Sequence, residues 1–467
     1  MGLKDFTVKT TLNAVLNKAF KSIEEDPAEG LCKIAQEMSE KLTKVNFGGE
    51  NSPIPKLEEL LSDKNSKWPA FAASIVKDVD HNILKGFVTD LGYEAGYKGN
   101  IKRHELMEKE QCNIPWAILF DPTTACNLRC TGCWSAEYGH KYNLTYAEMD
   151  NIVKQGEEIG THFYLMTGGE PTVRMDDVLK LAAAHPTSEF HLFTNGTLID
   201  EKLCDKVLKV GNISFSLSLE GFEEVNDSRR GKGTYNKVMK AMDIMKSKGI
   251  LFGTSICYTS ANYKVVTSDA FIDMIIDKGV KYSWFFHYMP VGNNAVPELM
   301  PSPEEREYVL NRVRYLRSGA CDKLIFTIDF QNDAPYIQGC VAGGRNYLHI
   351  NAKGDVEPCV FIHYSNCNIK NVSLLEALKS PIFMAYHKNQ PFNSNYLKPC
   401  PMLENPQSIK KMVDETGAIS TDYSSPESVD HLVSKTIPYA KAWDKKANKI
   451  WSEMEKGTWK VTDVANQ

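Results

Sequence analysis

From about residue 112 the chain repeats one pattern, a short apolar segment followed by a helical stretch. The apolar segments are WAILFD, HFYLMTG, EFHLFTNG, NISFSLSLE, LFGTSICYT and KYSWFFHYMP, and helical stretches begin near Thr145, Met175, Asp200, Thr234 and Ser268. The first of these opens with Thr145-Tyr-Ala-Glu148, the spacing of a capping box. Six strands alternating with helices predict parallel pairing through βαβ crossovers. That number suits an open or partial barrel better than a closed eightfold one. In either case functional groups gather at the C-terminal ends of the strands, where the βα loops meet.

Upstream the periodicity is helical. Leu12, Val15, Leu16, Ala19, Phe20 and Ile23 make one apolar stripe, and Leu31, Ile34, Ala35, Met38 and Leu42 a second. A third runs through Trp68, Phe71, Ile75, Val79, Ile83, Phe87 and Leu91, after a linker rich in Gly, Asn, Ser and Pro. These helices are expected to pack mainly on the rest of the protein. Lys9, Lys18 and Lys21 near the first stripe are also compatible with a membrane surface. After about 320 the alternation stops. Residues 347–360 predict a hairpin turning at Ala352-Lys353-Gly354, 373–380 a short helix, and about 430–457 a charged helix.

Composition narrows the setting. The 467 residues carry 54 Lys and Arg against 59 Asp and Glu, a net charge of −5, so no basic excess points to nucleic acid. No run approaches the ~20 apolar residues of a membrane span. The N-terminus has no secretory h-region. The expected location is the cytoplasm, with at most a peripheral contact at the inner membrane face through the N-terminal helices. In a reducing compartment the 12 cysteines read as metal ligands, catalytic groups or small buried hydrophobes rather than disulfides.

The sharpest local feature is FDPTTACNLRCTGCW, which sets Cys126, Cys130 and Cys133 as C-x3-C-x2-C in the loop after the first strand. Three thiolates this close can hold three irons of a cubane cluster and leave the fourth open to a small chelating ligand. A structural zinc site, with His140 as the nearest fourth ligand, and three unrelated buried cysteines are the alternatives. The second strand ends in Thr167-Gly168-Gly169-Glu170-Pro171, where two glycines allow close backbone approach and a carboxylate can accept from an ammonium group. The fourth ends in Ser216-Leu-Ser218-Leu-Glu220-Gly221, with Arg229 and Arg230 downstream. Alternation aims Ser216, Ser218 and Glu220 at one face. Asn195 closes the third strand.

A second cysteine set comprises Cys340, Cys359, Cys367 and Cys400. The turn at Gly354 would bring Cys340 and Cys359 together. A four-thiolate zinc site or no metal at all are its alternatives. Cys32, Cys112, Cys204, Cys257 and Cys321 are scattered and read as packing residues. Asp329 and Asp333 are weighed as a general base against capping or surface roles. His287, His349 and His363 read as structural, and Tyr288 and Tyr347 as core residues that could relay a radical.

CNLRCTGC, in the first βα loop, resembles the cluster motif of the radical S-adenosylmethionine (radical SAM) superfamily. The GGE segment, the SxSxEG…R strand and the second cysteine set follow in that family's order, so the resemblance covers about 112–404. It implies an α/β fold: a helical extension over 1–111, a partial (β/α)6 barrel over 112–320, a SPASM/twitch-like domain over 321–405 and a helical tail over 406–467. It implies a [4Fe-4S] cluster on Cys126, Cys130 and Cys133 that reductively cleaves S-adenosylmethionine (SAM). The product is a 5′-deoxyadenosyl radical that abstracts a substrate hydrogen. Gly168, Gly169 and Glu170 are then assigned to the amino group of SAM, and Ser218 and Arg230 to its carboxylate, with Ser216 on the same face. Glu220, standing where the family pattern has Asp, is assigned to the ribose, and Asn195 to the ribose or the substrate. The family often has an aromatic residue before the third cysteine; here that residue is Gly132, with Trp134 after the cysteine.

The dense C-x2-C-x5-C-x3-C run of a full SPASM domain is missing, which leaves one auxiliary iron–sulfur cluster on Cys340, Cys359 and Cys400, with Cys367 as fourth ligand. An electron donor such as flavodoxin or ferredoxin and an anaerobic or oxygen-protected host are also implied. The family's habits favour a peptide or protein substrate. The alternative is a lipid or small apolar metabolite, including carbon–carbon coupling of acyl chains. A hypothesis of another class is a non-catalytic iron–sulfur sensor, which would need no SAM site.

Overall fold

The computed structural model describes residues 54–63 and 65–464, together with Thr10, Leu12, Ala14, Leu16–Lys18 and Phe20. Six strands lie side by side in chain order, each pair parallel: β1 (Ala117–Phe120), β2 (Phe163–Met166), β3 (Glu189–Thr194), β4 (Ile213–Ser218), β5 (Phe252–Tyr258) and β6 (Tyr282–His287). Helices return the chain between them. Thr145 and Glu148 close the expected capping box on helix Tyr146–Ile159, and Asp200 and Ser268 cap helices Glu201–Val210 and Asp269–Asp277. Outward side chains such as Ile118, Tyr164, Leu192, Phe215 and Ile256 are buried beneath the helices. Inward ones, among them Leu119, Leu165, Phe193, Ser218, Cys257 and Phe286, surround one cavity. Both faces are covered, which is why the strands read as near-continuous apolar runs.

The alternation continues past 320. Helix Pro303–Arg317 leads to β7 (Phe326–Asp329), which pairs in parallel with β6. It escapes a sequence reading because it is four residues long and alternates in exposure, with Phe326 at 36%. The hairpin at 347–360 forms as expected from β8 (Tyr347–Ile350) and β9 (Val356–Glu357). Gly354 makes the turn at φ +101. Unexpectedly, β8 also joins the main sheet, parallel to β1, so the strand order is β7-β6-β5-β4-β3-β2-β1-β8-β9.

The third apolar stripe becomes helices Trp68–Asp78 and His81–Gly86, broken where Asp80 Oδ1 accepts from the N–H groups of Asn82 and Ile83. A π-helical stretch, Phe87–Lys98, and helix Gly99–Glu110 follow. Gly86 and Gly99 press on the barrel base, since a Cβ at either would lie 2.3 Å from Gly211 O or 2.2 Å from Gly160 O. Leu12, Leu16 and Phe20 are buried, and Phe20 stacks on His81 at 4.0 Å. These stripe positions therefore face protein. The second stripe lies outside the described residues. Among the described residues no helix is long and apolar enough to cross a membrane. Helix Val429–Glu455 closes the fold, with Trp443 buried and its Nε1 donating to Leu397 O at 2.9 Å.

A buried charge cluster ties β1 to the hairpin. His349 on β8 sits between Asp121, just past β1, and Glu357 on β9, at 3.1 Å from Nε2 and 2.6 Å from Nδ1. Tyr138 OH and Thr421 Oγ1 donate to the Glu357 carboxylate at 2.7 and 2.6 Å. Burial opposes charge on His349, but the two carboxylates outweigh it and raise its pKa to about 10. His349→Leu removes the charge lying between the two carboxylates and is expected to cost about 3–5 kcal/mol. Urea unfolding measures this, and an unchanged midpoint would refute the pairing.

Candidate active site

The cavity is about 830 Å³ and runs from the strand starts, at Trp116 and Phe163, to the strand ends, where Cys126, Cys130 and Cys133 line it together with Gly168, Gly169, Glu170, Asn195, Ser218 and Arg230. The cysteine loop is held by the ends of β2 and β3 and by helix Glu223–Arg230. Gly169 N donates to Thr123 O at 2.9 Å and Glu170 N to Ala125 O at 2.8 Å. Asn195 Nδ2 donates to Asn127 Oδ1 at 2.8 Å, and Thr131 N to Arg229 O at 2.9 Å. Both glycines are required by this packing. A Cβ on Gly168, at φ +96, would lie 2.6 Å from Thr123 O, and one on Gly169 2.2 Å from Ala125 O.

The Glu170 carboxylate is turned into the protein. Its Oε1 accepts from Thr172 N, Thr172 Oγ1 and Thr194 Oγ1 at 3.0, 2.5 and 2.6 Å, and its Oε2 from Asn195 N at 2.7 Å. It therefore joins the second and third loops, and burial raises its pKa. Glu220 is likewise buried and engaged. Its Oε1 accepts from Arg229 Nη1 at 2.7 Å and from Arg230 Nε and Nη2 at 3.0 and 2.5 Å. Ser216 shares the inward face but lies a layer deeper, fully buried, with its Oγ 2.9 Å from His191 Nε2. The structure thus places neither Glu220 nor Ser216 on the cavity wall.

Burial pushes the Cys126 thiol up to about 11. It also raises that of Cys130, against the lowering effect of Arg230, whose Nη1 is 3.9 Å from the sulfur. Leu128 N donates to Cys126 Sγ at 3.4 Å. Two arginines sharing one carboxylate leave net positive charge beside the thiols, a setting that suits thiolates binding iron. Three thiols on one cavity wall beside cations fit a cubane cluster with one iron facing the cavity. His140, exposed, has its Nδ1 3.2 Å from Thr124 O. Among the described residues no three His, Cys, Asp or Glu side chains converge on a single-ion site. Over Gly132, at φ +63, lies the Tyr288 ring, whose hydroxyl would be 2.6 Å from a Cβ there. An aromatic side chain from the end of β6 thus covers the position before the third cysteine.

The second cysteine set lies behind the cavity wall formed by Val341, Tyr347, Val360 and Phe361. Cys340, Cys359 and Cys400 are mutual neighbours, and burial raises each thiol's pKa, those of Cys340 and Cys359 to about 12 and about 11. Each sulfur accepts from a backbone N–H a few residues on: Ala342 for Cys340, Phe361 for Cys359 at 3.5 Å and Leu403 for Cys400 at 3.4 Å. Cys126 shows the same pattern. The donor set therefore fits an iron–sulfur group as the first one does. Cys367 does not join it, for its thiol lies by Ser380 and Asp355.

Several wall residues were given no role in the sequence reading, notably Trp284, Phe286 and, taken only as packing, Cys257. The inward register of β5 and β6 was the available signal, since 255, 257, 284 and 286 alternate toward the cavity. Asp333 lies at the cavity edge paired with Arg317 through two 2.6 Å bonds, while Asp329 is buried against Asn332.

Residues 120–275 match the profile of the Radical SAM superfamily. The chain is 28% identical over 229 residues to Fe-coproporphyrin III synthase of Methanosarcina barkeri, 47% of this chain and 57% of that protein. It is 28% identical over 167 residues to the mycofactocin maturase MftC of Mycolicibacterium smegmatis, 35% of this chain and 40% of that one. The matches thus span roughly half the length of these relatives. In fold the chain resembles SuiB of Streptococcus suis, solved with the precursor peptide SuiA, at TM-score 0.55 and 18% identity over 71% of this chain and 80% of that one. Gly169→Ala is expected to displace the cysteine loop and to abolish iron retention at the first site while far-ultraviolet circular dichroism is preserved. Full iron content in that variant would refute the packing argument.

Proposed function

We propose, from the premise that this chain carries a radical SAM domain, that it cleaves SAM reductively and uses the resulting 5′-deoxyadenosyl radical to take a hydrogen from a substrate held in the cavity. The observation that supports this most is the placement of Cys126, Cys130 and Cys133 at the C-terminal mouth of a partial barrel whose interior is largely aromatic and aliphatic. Radical SAM enzymes use a [4Fe-4S] cluster, which supplies the electron. Arg229 and Arg230 hold positive charge beside the thiolates and can orient the SAM carboxylate. Ser218 and Asn195 stand at the same mouth. Below them Phe193, Trp284, Phe286 and Phe330 pack ring to ring at 5.2–6.0 Å and exclude water from a reactive radical.

A peptide or protein substrate is supported by MftC, a maturase, and by SuiB, solved with a precursor peptide, whereas Fe-coproporphyrin III synthase is a porphyrin enzyme. A lipid or other apolar substrate is the second reading, favoured by the wall itself. Between the charged mouth and the Arg317–Asp333 pair at the far edge, the lining is almost wholly aromatic and aliphatic. Both readings place an unreactive C–H bond among apolar side chains.

Anaerobically reconstituted, dithionite-reduced protein given SAM is expected to form 5′-deoxyadenosine, and the Cys126→Ala/Cys130→Ala/Cys133→Ala variant none. If SAM leaves the electron paramagnetic resonance spectrum of the reduced cluster unchanged, the sensor reading replaces this one. Trp116, Trp134 and Trp284 line the cavity, so their fluorescence reports its filling. Saturable quenching by a long-chain fatty acid, weakened in Trp284→Phe and not produced by apolar peptides, would select the lipid reading. The reverse selectivity would select the peptide.

A further inference from the structure

We infer that Tyr386 is the fourth protein ligand of the second iron–sulfur site, its phenolate oxygen completing a set with Cys340, Cys359 and Cys400. This rests on the reading that a cluster is bound there. Tyr386 lies on helix Pro381–Asn389 and is fully buried, yet its hydroxyl has no hydrogen-bond partner. A buried tyrosine normally finds one, because an unmet hydroxyl costs about 1–3 kcal/mol. The titratable neighbours of this hydroxyl are the three thiols Cys340, Cys359 and Cys400.

The surroundings are shaped to admit the ring. Gly343, three residues after Cys340, has φ +64, and a Cβ there would lie 2.4 Å from Tyr386 Cβ. Phe392 fixes the ring edge-on at 5.3 Å. The other candidate groups nearby face elsewhere or are hydrogen-bonded. Cys367 faces Ser380 and Asp355. The Tyr347 hydroxyl is 2.7 Å from Cys359 Sγ and accepts from Val360 N at 3.4 Å. Glu404 accepts from Arg306 at 2.6 Å and from Cys400 N at 2.8 Å.

When iron binds, the phenol gives up its proton to solvent and the oxygen–iron bond replaces the oxygen–hydrogen bond, with no change of oxidation state. Four protein ligands leave no open iron at this site. The second cluster therefore passes electrons and does not bind substrate, and the open coordination position of this protein is confined to the first site.

The test uses the full-length Cys126→Ala/Cys130→Ala/Cys133→Ala protein, in which only the second cluster remains, with and without Tyr386→Phe, which removes one oxygen and keeps the ring. Both are reconstituted with iron and sulfide, and then mildly oxidised. The parent is expected to hold about four irons per chain through oxidation. Tyr386→Phe is expected to lose one iron in four, to show the resonance signal of a three-iron cluster, and to lose a phenolate-to-iron absorption band. Cys367→Ser in the same background is expected to match the parent. A four-iron cluster with unchanged absorption in Tyr386→Phe overturns the ligand assignment alone. A parent that binds no iron overturns the second-cluster reading and the assignment with it.

Discussion

The parallel pairing of β1 with β8 is the constraint on which both cysteine sets depend. Its register, Ala117 with Tyr347 through Phe120 with Ile350, joins segments more than two hundred residues apart. The first cysteine loop leaves the end of β1, and the hairpin leaves the end of β8, so the two run out side by side. Cys359 follows two residues after β9. The cluster of Asp121, His349 and Glu357 makes that register specific. A slip of one residue would turn His349 to the opposite face and leave two buried carboxylates facing each other. Such a charge cluster gains little over apolar packing in net stability, and its value lies in allowing one alignment.

A second constraint works at shorter range. The cysteine loop is short, and its shape is imposed by what lies beneath it rather than by its own residues. Gly168 and Gly169 let the end of β2 approach its backbone. Glu170, through four hydrogen bonds, fixes the end of β3, from which Asn195 reaches back to Asn127 in the same loop. The GGE segment thus acts first on the protein's own backbone. Whatever ligand its exposed edge meets, that edge is held still by a carboxylate facing inward.

Much of this was legible in the sequence where the information is local. The six central strands, the starts of five helices, the capping box at Thr145 and the hairpin all follow from short-range pattern. β7 and the pairing of β8 do not, because a four-residue strand carries little periodicity and a parallel partner cannot be read from one segment. The site divides in the same way. The spacing of Cys126, Cys130 and Cys133 is a property of one loop, and it sufficed. Alternation put Ser216 and Ser218 on one face but could not say how deep each lies, and depth is decided by His191 on the neighbouring strand. Glu220 was assigned to the ribose because the return of the helix that carries its arginine partners was not visible. The aromatic cover missing at Gly132 is supplied by Tyr288, some hundred and fifty residues away, a compensation no local motif records.

The C-terminal helix, legible in the sequence as a charged helix with no role at the site, belongs to the site. Tyr439 on this helix donates to Nε2 of His287 at 2.8 Å, while Nδ1 of that ring donates to Tyr288 O at 2.7 Å. Burial holds the His287 pKa well below its ordinary value, with Arg306 adding to the effect, so the ring is neutral and can accept at Nε2. Arg306 Nη1 donates to the Tyr439 hydroxyl at 3.3 Å and to Glu404 at 2.6 Å, and the other Glu404 oxygen accepts from Cys400 N at 2.8 Å. One hydrogen-bonded line therefore runs from the cavity wall to the backbone of a second-set cysteine, with its middle member on the last helix. Arg306 is fully buried and lies 4.3 Å from the centre of the Trp443 ring on the same helix. A cation this deep is tolerated because its partners are all in place. Displacing the helix would leave Arg306 short of its tyrosine and its ring, and both the His287 wall and the Cys400 loop would lose their reference. The tail thus holds the two sites in one frame from the side opposite β8.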